Sequence, residues 1–124
     1  NISSAAAFVL VSSDDTQGDY IVVGHGNDTV DLSLGSGNDV VIAGRGRDSI
    51  KLGDGSDSVL FTIETSASDT SIDTVDLGSG NDTVNATDAV SPLRVLVSAS
   101  DTGGDYIMLN KQSYGCSNRK SRRR

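Results

Sequence analysis

Regularly spaced aspartates are the residues of this chain whose type and spacing could support chemistry. Five of them, Asp28, Asp39, Asp48, Asp57 and Asp82, close turns of the pattern G-x-G-x-D. Two more, Asp19 and Asp73, lack the paired glycines but also precede an aliphatic residue by two positions. Carboxylates repeated at one turn position could bind cations or act as general acids and bases. No His, Cys or Lys recurs beside them, so we expect no catalytic residues and no enzyme.

The glycines of these turns could supply main-chain oxygens to the same cations. The second glycine of each turn is Gly26, Gly37, Gly46, Gly55 or Gly80. Glycine permits a positive φ, so that carbonyl groups can point at a common centre. Calcium takes six to eight oxygen ligands, whereas magnesium demands tight octahedral geometry. Zinc prefers His or Cys, and the chain has only His25 and Cys116. The pattern therefore predicts bound calcium ions.

The segments between the turns must position these aspartates. In stretches such as residues 30–32 and 50–52, two aliphatic side chains flank a charged one, which is the period of a half-buried strand. With two nonapeptides per coil, turns about 18 residues apart stack on one edge. This stacking pairs Asp19 with Asp39, Asp39 with Asp57, and Asp28 with Asp48. We predict an all-β fold, a parallel β-roll (β-solenoid) with calcium ions stacked between the turns.

The charge distribution supports cations as partners. All 17 acidic residues lie before position 106, where only four basic residues oppose them. Such a body repels itself and nucleic acid alike, so we expect bound cations, no nucleic acid, and folding coupled to metal binding. The chain has no apolar run of transmembrane length.

The repeats also divide the chain. We predict a β-roll over residues 1–110, with the best repeats at 19–60 and 73–85, and a basic tail over 111–124 that is disordered or non-native. Residues 61–72 contain no glycine, so we expect no metal at that turn. Residues 9–21 return at 95–107 with ten of thirteen identical, which indicates a slice of a longer array whose other repeats could be partners.

The turns resemble the repeats-in-toxin (RTX, hemolysin-type) family, whose consensus is G-G-x-G-x-D-x-U-x. That resemblance implies a calcium-loaded β-roll in which the aspartates at the sixth position bind the ions and nearby carbonyls complete the shell. The sequence departs from the consensus at the first glycine, which is replaced by Val23, Leu34, Ala43, Leu52 and Leu77. A two-residue insertion between Asp28 and Asp39 is a second departure.

The resemblance implies a calcium-binding structural or binding module of a secreted or cell-surface protein, which folds in extracellular calcium. Two alternative functions fit the same residues. One is an ice-binding or adhesive surface, suggested by the triplets Ser36-Gly37-Asn38 and Ser79-Gly80-Asn81. The other is an accessory module of a polysaccharide-modifying enzyme, which rests on fold analogy alone.

Overall fold

The chain folds as a stack of coils, each contributing two short strands. The computed structural model describes residues 6–11, 14–62, 72–87, 92–98 and 101–109. Within these ranges the strands are β1 (Phe8–Leu10), β2 (Tyr20–Val22), β3 (Thr29–Asp31), β4 (Val40–Ala43), β5 (Ser49–Lys51), β6 (Ser58–Phe61), β7 (Asp73–Asp76), β8 (Thr83–Ala86), β9 (Leu93–Leu96) and β10 (Tyr106–Leu109). The predicted tail, residues 111–124, lies outside the described residues.

The strands form two five-stranded parallel sheets. The first has the order β1-β3-β5-β7-β9 and the second has the order β10-β8-β6-β4-β2. Successive strands of the chain therefore alternate between the sheets, and each strand pairs with the strand two positions along the chain. This is the predicted parallel β-solenoid. Among the described residues, no helix is long and apolar enough to span a membrane.

The core is a thin layer of stacked aliphatic side chains between the sheets. Strand alternation turns one residue in two inward, so each sheet contributes one row at equivalent positions. The first sheet contributes Val9, Val30, Ile50, Val75 and Val95, and the second contributes Ile21, Val41, Val59, Val84 and Ile107. The central members of both rows are fully buried. Few aromatic residues are needed because parallel register places each aliphatic directly on the next.

Residues that replace the first consensus glycine extend this core. Val23, Ala43, Leu52 and Leu77 are buried, so the departure from the consensus lengthens the apolar rows. Leu34 is the exception, with 57% of its surface exposed. Strand pairing explains the difference, since Leu32 occupies the buried position that Leu52 fills one coil later.

The coils are less regular than the predicted spacing of about 18 residues. Pairing advances by 18 residues from β4 to β6 but by 25 from β5 to β7. The insertion after β3 is accommodated locally: Ser33 and Leu34 form a turn closed by the hydrogen bond from Gly35 N–H to the Leu32 carbonyl, 2.9 Å. Ser33 and Leu34 therefore leave the stack at this turn, and β3 and β4 keep their register with the following coil.

Candidate metal sites at the edges of the solenoid

The turns join the two sheets, and their second glycine has a conformation that other residues rarely adopt. In four turns this glycine, Gly26, Gly46, Gly55 or Gly80, has a φ between 119° and 137°. A side chain would also collide with the neighbouring coil, because the carbonyl oxygen of Gly37 lies against the Cα of Gly55. In the same way, the carbonyl oxygen of Gly26 lies against Gly46, and that of Gly55 lies against Gly80. Glycine is required here for both its dihedral angles and its small size.

The aspartates that end these turns form two rows, one along each edge of the solenoid. The long row contains Asp19, Asp39, Asp57, Asp82 and Asp105. In each step the main-chain N–H of one aspartate donates a hydrogen bond of 2.8 to 3.2 Å to Oδ1 of the aspartate in the next coil. The predicted pairs of Asp19 with Asp39 and of Asp39 with Asp57 are therefore confirmed.

The short row contains Asp28, Asp48 and Asp73 on the opposite edge. Asp28 N–H donates to Oδ1 of Asp48 at 3.0 Å, as the predicted pairing requires, and Asp48 N–H donates to Oδ1 of Asp73 at 2.9 Å. Ala7 donates to Asp28 at one end of the row, and Leu93 pairs with Asp73 at the other. Ala7 and Leu93 occupy the same position in the 86-residue repeat, so the described part of this row contains three aspartates between them.

Burial of these carboxylates is the strongest sign that they bind a positive charge. Every aspartate predicted as a ligand except the half-buried Asp19 is at most 3% exposed. Acidic residues are almost never fully buried unless they are paired. The Oδ2 atoms of Asp28, Asp57 and Asp82 have no hydrogen-bond partner among the described residues. Because a buried, unsatisfied carboxylate oxygen is costly, these atoms fit a cation bound between the coils.

The chemistry of the donors favours a hard cation held partly by the main chain. Within the described ranges, no three Asp, Glu, His or Cys side chains converge on one point. An ion held at this edge must therefore draw part of its oxygen shell from the carbonyls of the turns. Calcium accepts such mixed shells of six to eight oxygens, whereas zinc requires nitrogen or sulfur ligands. His25, the only histidine, is exposed.

Burial and mutual repulsion raise the pKa values of aspartates in the long row. Burial raises the pKa of the Asp57 carboxyl from 3.8 to about 6, and the charges of Asp39, Asp82 and Asp54 add to the shift, although the hydrogen bond from Asp39 opposes it. Burial likewise raises the pKa of Asp82, as do the charges of Asp105 and Asp101. A bound cation would reverse this effect, because it stabilises the charged form.

The asparagines of the turns form a second set of hydrogen bonds between coils, the asparagine ladder, which the sequence did not lead us to expect. The side-chain Oδ1 atoms of Asn27, Asn38 and Asn81 accept hydrogen bonds of 2.7 to 2.9 Å from main-chain N–H groups in the following coil. The aspartate side chains instead accept hydrogen bonds from the preceding coil, so the aspartate rows and the asparagine ladder run in opposite directions. The available signal was the asparagine that directly precedes the aspartate in three of the five G-x-G-x-D turns.

This ladder also bears on the triplets that suggested an ice-binding surface. Ser36 and Ser79 are not neighbours, because Asp54 lies between them in the stack. The Ser79 hydroxyl donates a hydrogen bond to Oδ1 of Asp54 at 2.6 Å. Since the side chains of Asn38 and Asn81 bind to the next coil, the triplets do not form a continuous outward row of hydroxyl and amide groups.

These features define a class of protein: a parallel β-solenoid with glycine turns and rows of buried carboxylates along its edges. Residues 33–61 and 68–88 match the family model of the RTX calcium-binding nonapeptide repeat in four copies. This part of the chain belongs to the RTX family, and its repeats bind calcium ions. The turn at residues 24–28 lies outside the match but has the same geometry. The comparisons with curated proteins and with solved structures found no match.

Proposed function

We propose that this chain is a calcium-dependent structural and binding module of a secreted or cell-surface protein, whose folding is coupled to extracellular calcium. The observation that carries the proposal is the pair of buried aspartate rows. Each row leaves carboxylate oxygens without a hydrogen-bond partner among the described residues, in a body with a large excess of acidic residues. Calcium supplies the positive charge that allows these carboxylates to stack.

The ligands in this proposal come from both the side chains and the main chain. The carboxylates are those of the two rows, with Asp28, Asp39, Asp48, Asp57 and Asp82 as the principal ligands and Asp19 and Asp73 as their partners. The carbonyl groups are those near Gly26, Gly37, Gly46, Gly55 and Gly80. Support comes from the turn geometry, because carbonyl oxygens such as that of Gly37 point across the gap between coils.

The proposed role is structural. The RTX repeat is a structural calcium-binding unit and not a catalytic one. Proteins that carry it are typically secreted, which supports a location where calcium is abundant. Further repeats of the same parent protein would be the natural neighbours of this module, because the 86-residue repeat makes the coil of β9 and β10 equivalent to the coil of β1 and β2.

Calcium titration tests the proposal directly. The full chain is depleted of metal, and its circular dichroism and heat of binding are followed as calcium is added. We expect a cooperative gain of β-structure with calcium and a much smaller response to the same concentration of magnesium. A chain that has the same β-structure with and without calcium would contradict the proposal.

A further inference from the structure

The turn at residues 101–105 differs from the intact turns of both rows. In three intact turns the N–H of the second glycine donates to a main-chain carbonyl of the next coil: Gly26 to Arg45, Gly37 to Asp54, and Gly55 to Ser79, at 2.9 to 3.0 Å. Gly80 instead donates to the side-chain Oδ1 of Asp101, at 3.1 Å. Asp101 therefore places a carboxylate where the other coils place a carbonyl group.

The carboxylate of Asp101 is held firmly in this position. Its Oδ1 accepts a second hydrogen bond, from the N–H of Gly103 at 2.8 Å. These two main-chain donors lower the pKa of Asp101, which keeps the carboxylate charged. Its Oδ2 is buried and has no hydrogen-bond partner among the described residues. One oxygen of Asp101 thus anchors the group, and the other remains available to a ligand.

Asp82, in the turn that Asp101 contacts, has a second buried carboxylate oxygen without a hydrogen-bond partner among the described residues. Only 1% of Asp82 is exposed, and its Oδ2 also has no hydrogen-bond partner in the described part of the chain. Asp101 contacts the turn of Asp82 directly, because its Oδ1 accepts the N–H of Gly80, two residues before Asp82. Burial and then the charge of Asp105 raise the pKa of Asp82, and the charge of Asp101 adds to this effect. The Oδ1 of Asp105 is occupied by the N–H of Asp82.

The same turn geometry recurs four coils away. Asp15 occupies the position of Asp101 in the 86-residue repeat, and its Oδ1 accepts the N–H of Gln17 at 2.9 Å, just as Asp101 accepts that of Gly103. The arrangement therefore belongs to the D-T-x-G-D sequence shared by residues 15–19 and 101–105. Neither turn lies within the residues that match the RTX family model.

We infer that the turn at residues 101–105 forms a calcium site with the turn at 78–82, in which Asp101 is a ligand in addition to Asp82. The Oδ2 atoms of both residues would bind the ion, together with carbonyl groups of the two turns. In the intact turns the equivalent group is a neutral main-chain carbonyl, which the charged carboxylate of Asp101 replaces here. Higher negative charge among its ligands strengthens calcium binding, so this site holds its ion more tightly than the sites between intact turns. The inference rests on the proposed calcium binding by the aspartate rows.

Two variants of the full chain test the assignment by calorimetric titration with calcium. Asp101→Asn keeps the size of the side chain and its Oδ1 acceptor but removes its charge. Asp76→Asn is the matched control, because it removes the same charge from the last residue of β7, outside the turn at residues 78–82. We expect Asp101→Asn to lose the tightest binding step or to weaken it at least tenfold, while the control titrates like the unaltered chain. Equal titrations of the two variants would overturn the inference.

The possible outcomes separate this inference from the proposed function. If the unaltered chain binds calcium and both variants bind it equally well, only the role of Asp101 is refuted. If the unaltered chain binds no calcium, both proposals are refuted. If Asp101→Asn does not fold in calcium, the anomalous signal in crystals of the calcium-loaded chain decides. An ion about 2.4 Å from Oδ2 of Asp101 supports the site, and an Asp101 without an ion overturns it.

Discussion

The main-chain N–H of Asp57 donates a hydrogen bond of 3.0 Å to Oδ1 of Asp82, which lies 25 residues further along the chain. Both residues are buried at the same edge of the solenoid. This bond occupies one carboxylate oxygen of Asp82 and fixes the direction of the other. One oxygen of Asp82 therefore joins neighbouring coils, and the second, which has no hydrogen-bond partner among the described residues, is the one that binds the ion in the proposed site.

Replacing Asp57 by asparagine should weaken calcium-dependent folding. The amide retains an oxygen that can accept the N–H of Asp39, but it removes a buried charge that interacts with both Asp39 and Asp82. We expect the calcium concentration at half-folding, measured by circular dichroism, to rise at least tenfold, which corresponds to about 1.4 kcal/mol. Asp76→Asn should leave this midpoint nearly unchanged. Equal midpoints for the two variants would show that Asp57 does not bind calcium.

The pH dependence should have opposite signs with and without calcium. The folded pKa of Asp57, about 6, lies above the usual value of 3.8, so its burial in the ion-free fold is tolerated best when it is protonated. Its favourable contribution is complete below pH 3.8 and is lost as the pH rises through 6. In metal-depleted buffer, β-structure should therefore increase as the pH falls from 7.5 to 4.5.

In the presence of calcium the same acidification should be unfavourable, because protons compete with the ion for the carboxylates. The calcium concentration at half-folding should rise as the pH is lowered over this range. Circular dichroism at matched ionic strength measures both effects. A change of the same sign under the two conditions would contradict the assignment of the long row as the metal-binding group.

Gly55→Ala should destabilise the calcium-loaded fold. Gly55 has a φ of 137°, and its Cα faces the carbonyl oxygen of Gly37, so a methyl group is disfavoured by both dihedral angle and space. We expect a loss of about 1–3 kcal/mol in urea denaturation at saturating calcium. Gly104→Ala is the control, because the nearest atom to its added methyl group is Asn81 Oδ1 at 3.9 Å. A control as destabilised as Gly55→Ala would indicate a general effect of glycine loss.

Asn38→Ala tests the asparagine ladder. This substitution leaves the N–H of Ser56 without its side-chain acceptor, at a position exposed to water. We expect a loss of about 0.5–1.5 kcal/mol, measured by urea denaturation at saturating calcium. Asn38→Asp keeps the acceptor oxygen and should retain most of the stability. If both variants lose the same amount, the hydrogen bond to Ser56 does not explain the role of Asn38.

Periodicity was sufficient to predict the fold and the stacking of the aspartates. Alternation in residues such as Val30 and Ile50 indicates which side chains point inward, and in a parallel stack this also fixes which coils meet. The pairing of Asp28 with Asp48 followed from the same register. Even the insertion after β3 did not disturb it, because the extra residues Ser33 and Leu34 leave the stack at a turn.

Side-chain direction is what periodicity could not supply. Nothing in the spacing shows that the side chain of Asn38 accepts a hydrogen bond from the following coil, whereas the side chain of Asp39 accepts one from the preceding coil. The role of Asp101 was also missed, because its turn lacks the first glycine of the pattern. In three dimensions the side chain of Asp101 replaces a carbonyl group, which no comparison of residue types along the chain reveals.

The 86-residue repeat corresponds to four coils, since Phe8 and Arg94 occupy the same row of the first sheet. Strands in a sheet lie about 4.8 Å apart, so four coils advance the solenoid by only about 19 Å. The same 86 residues, fully extended, would span about 290 Å. Under the proposed coupling, calcium therefore shortens the chain severalfold and stiffens it. An array of such periods would act as a contractile spacer whose length reports the surrounding ion concentration.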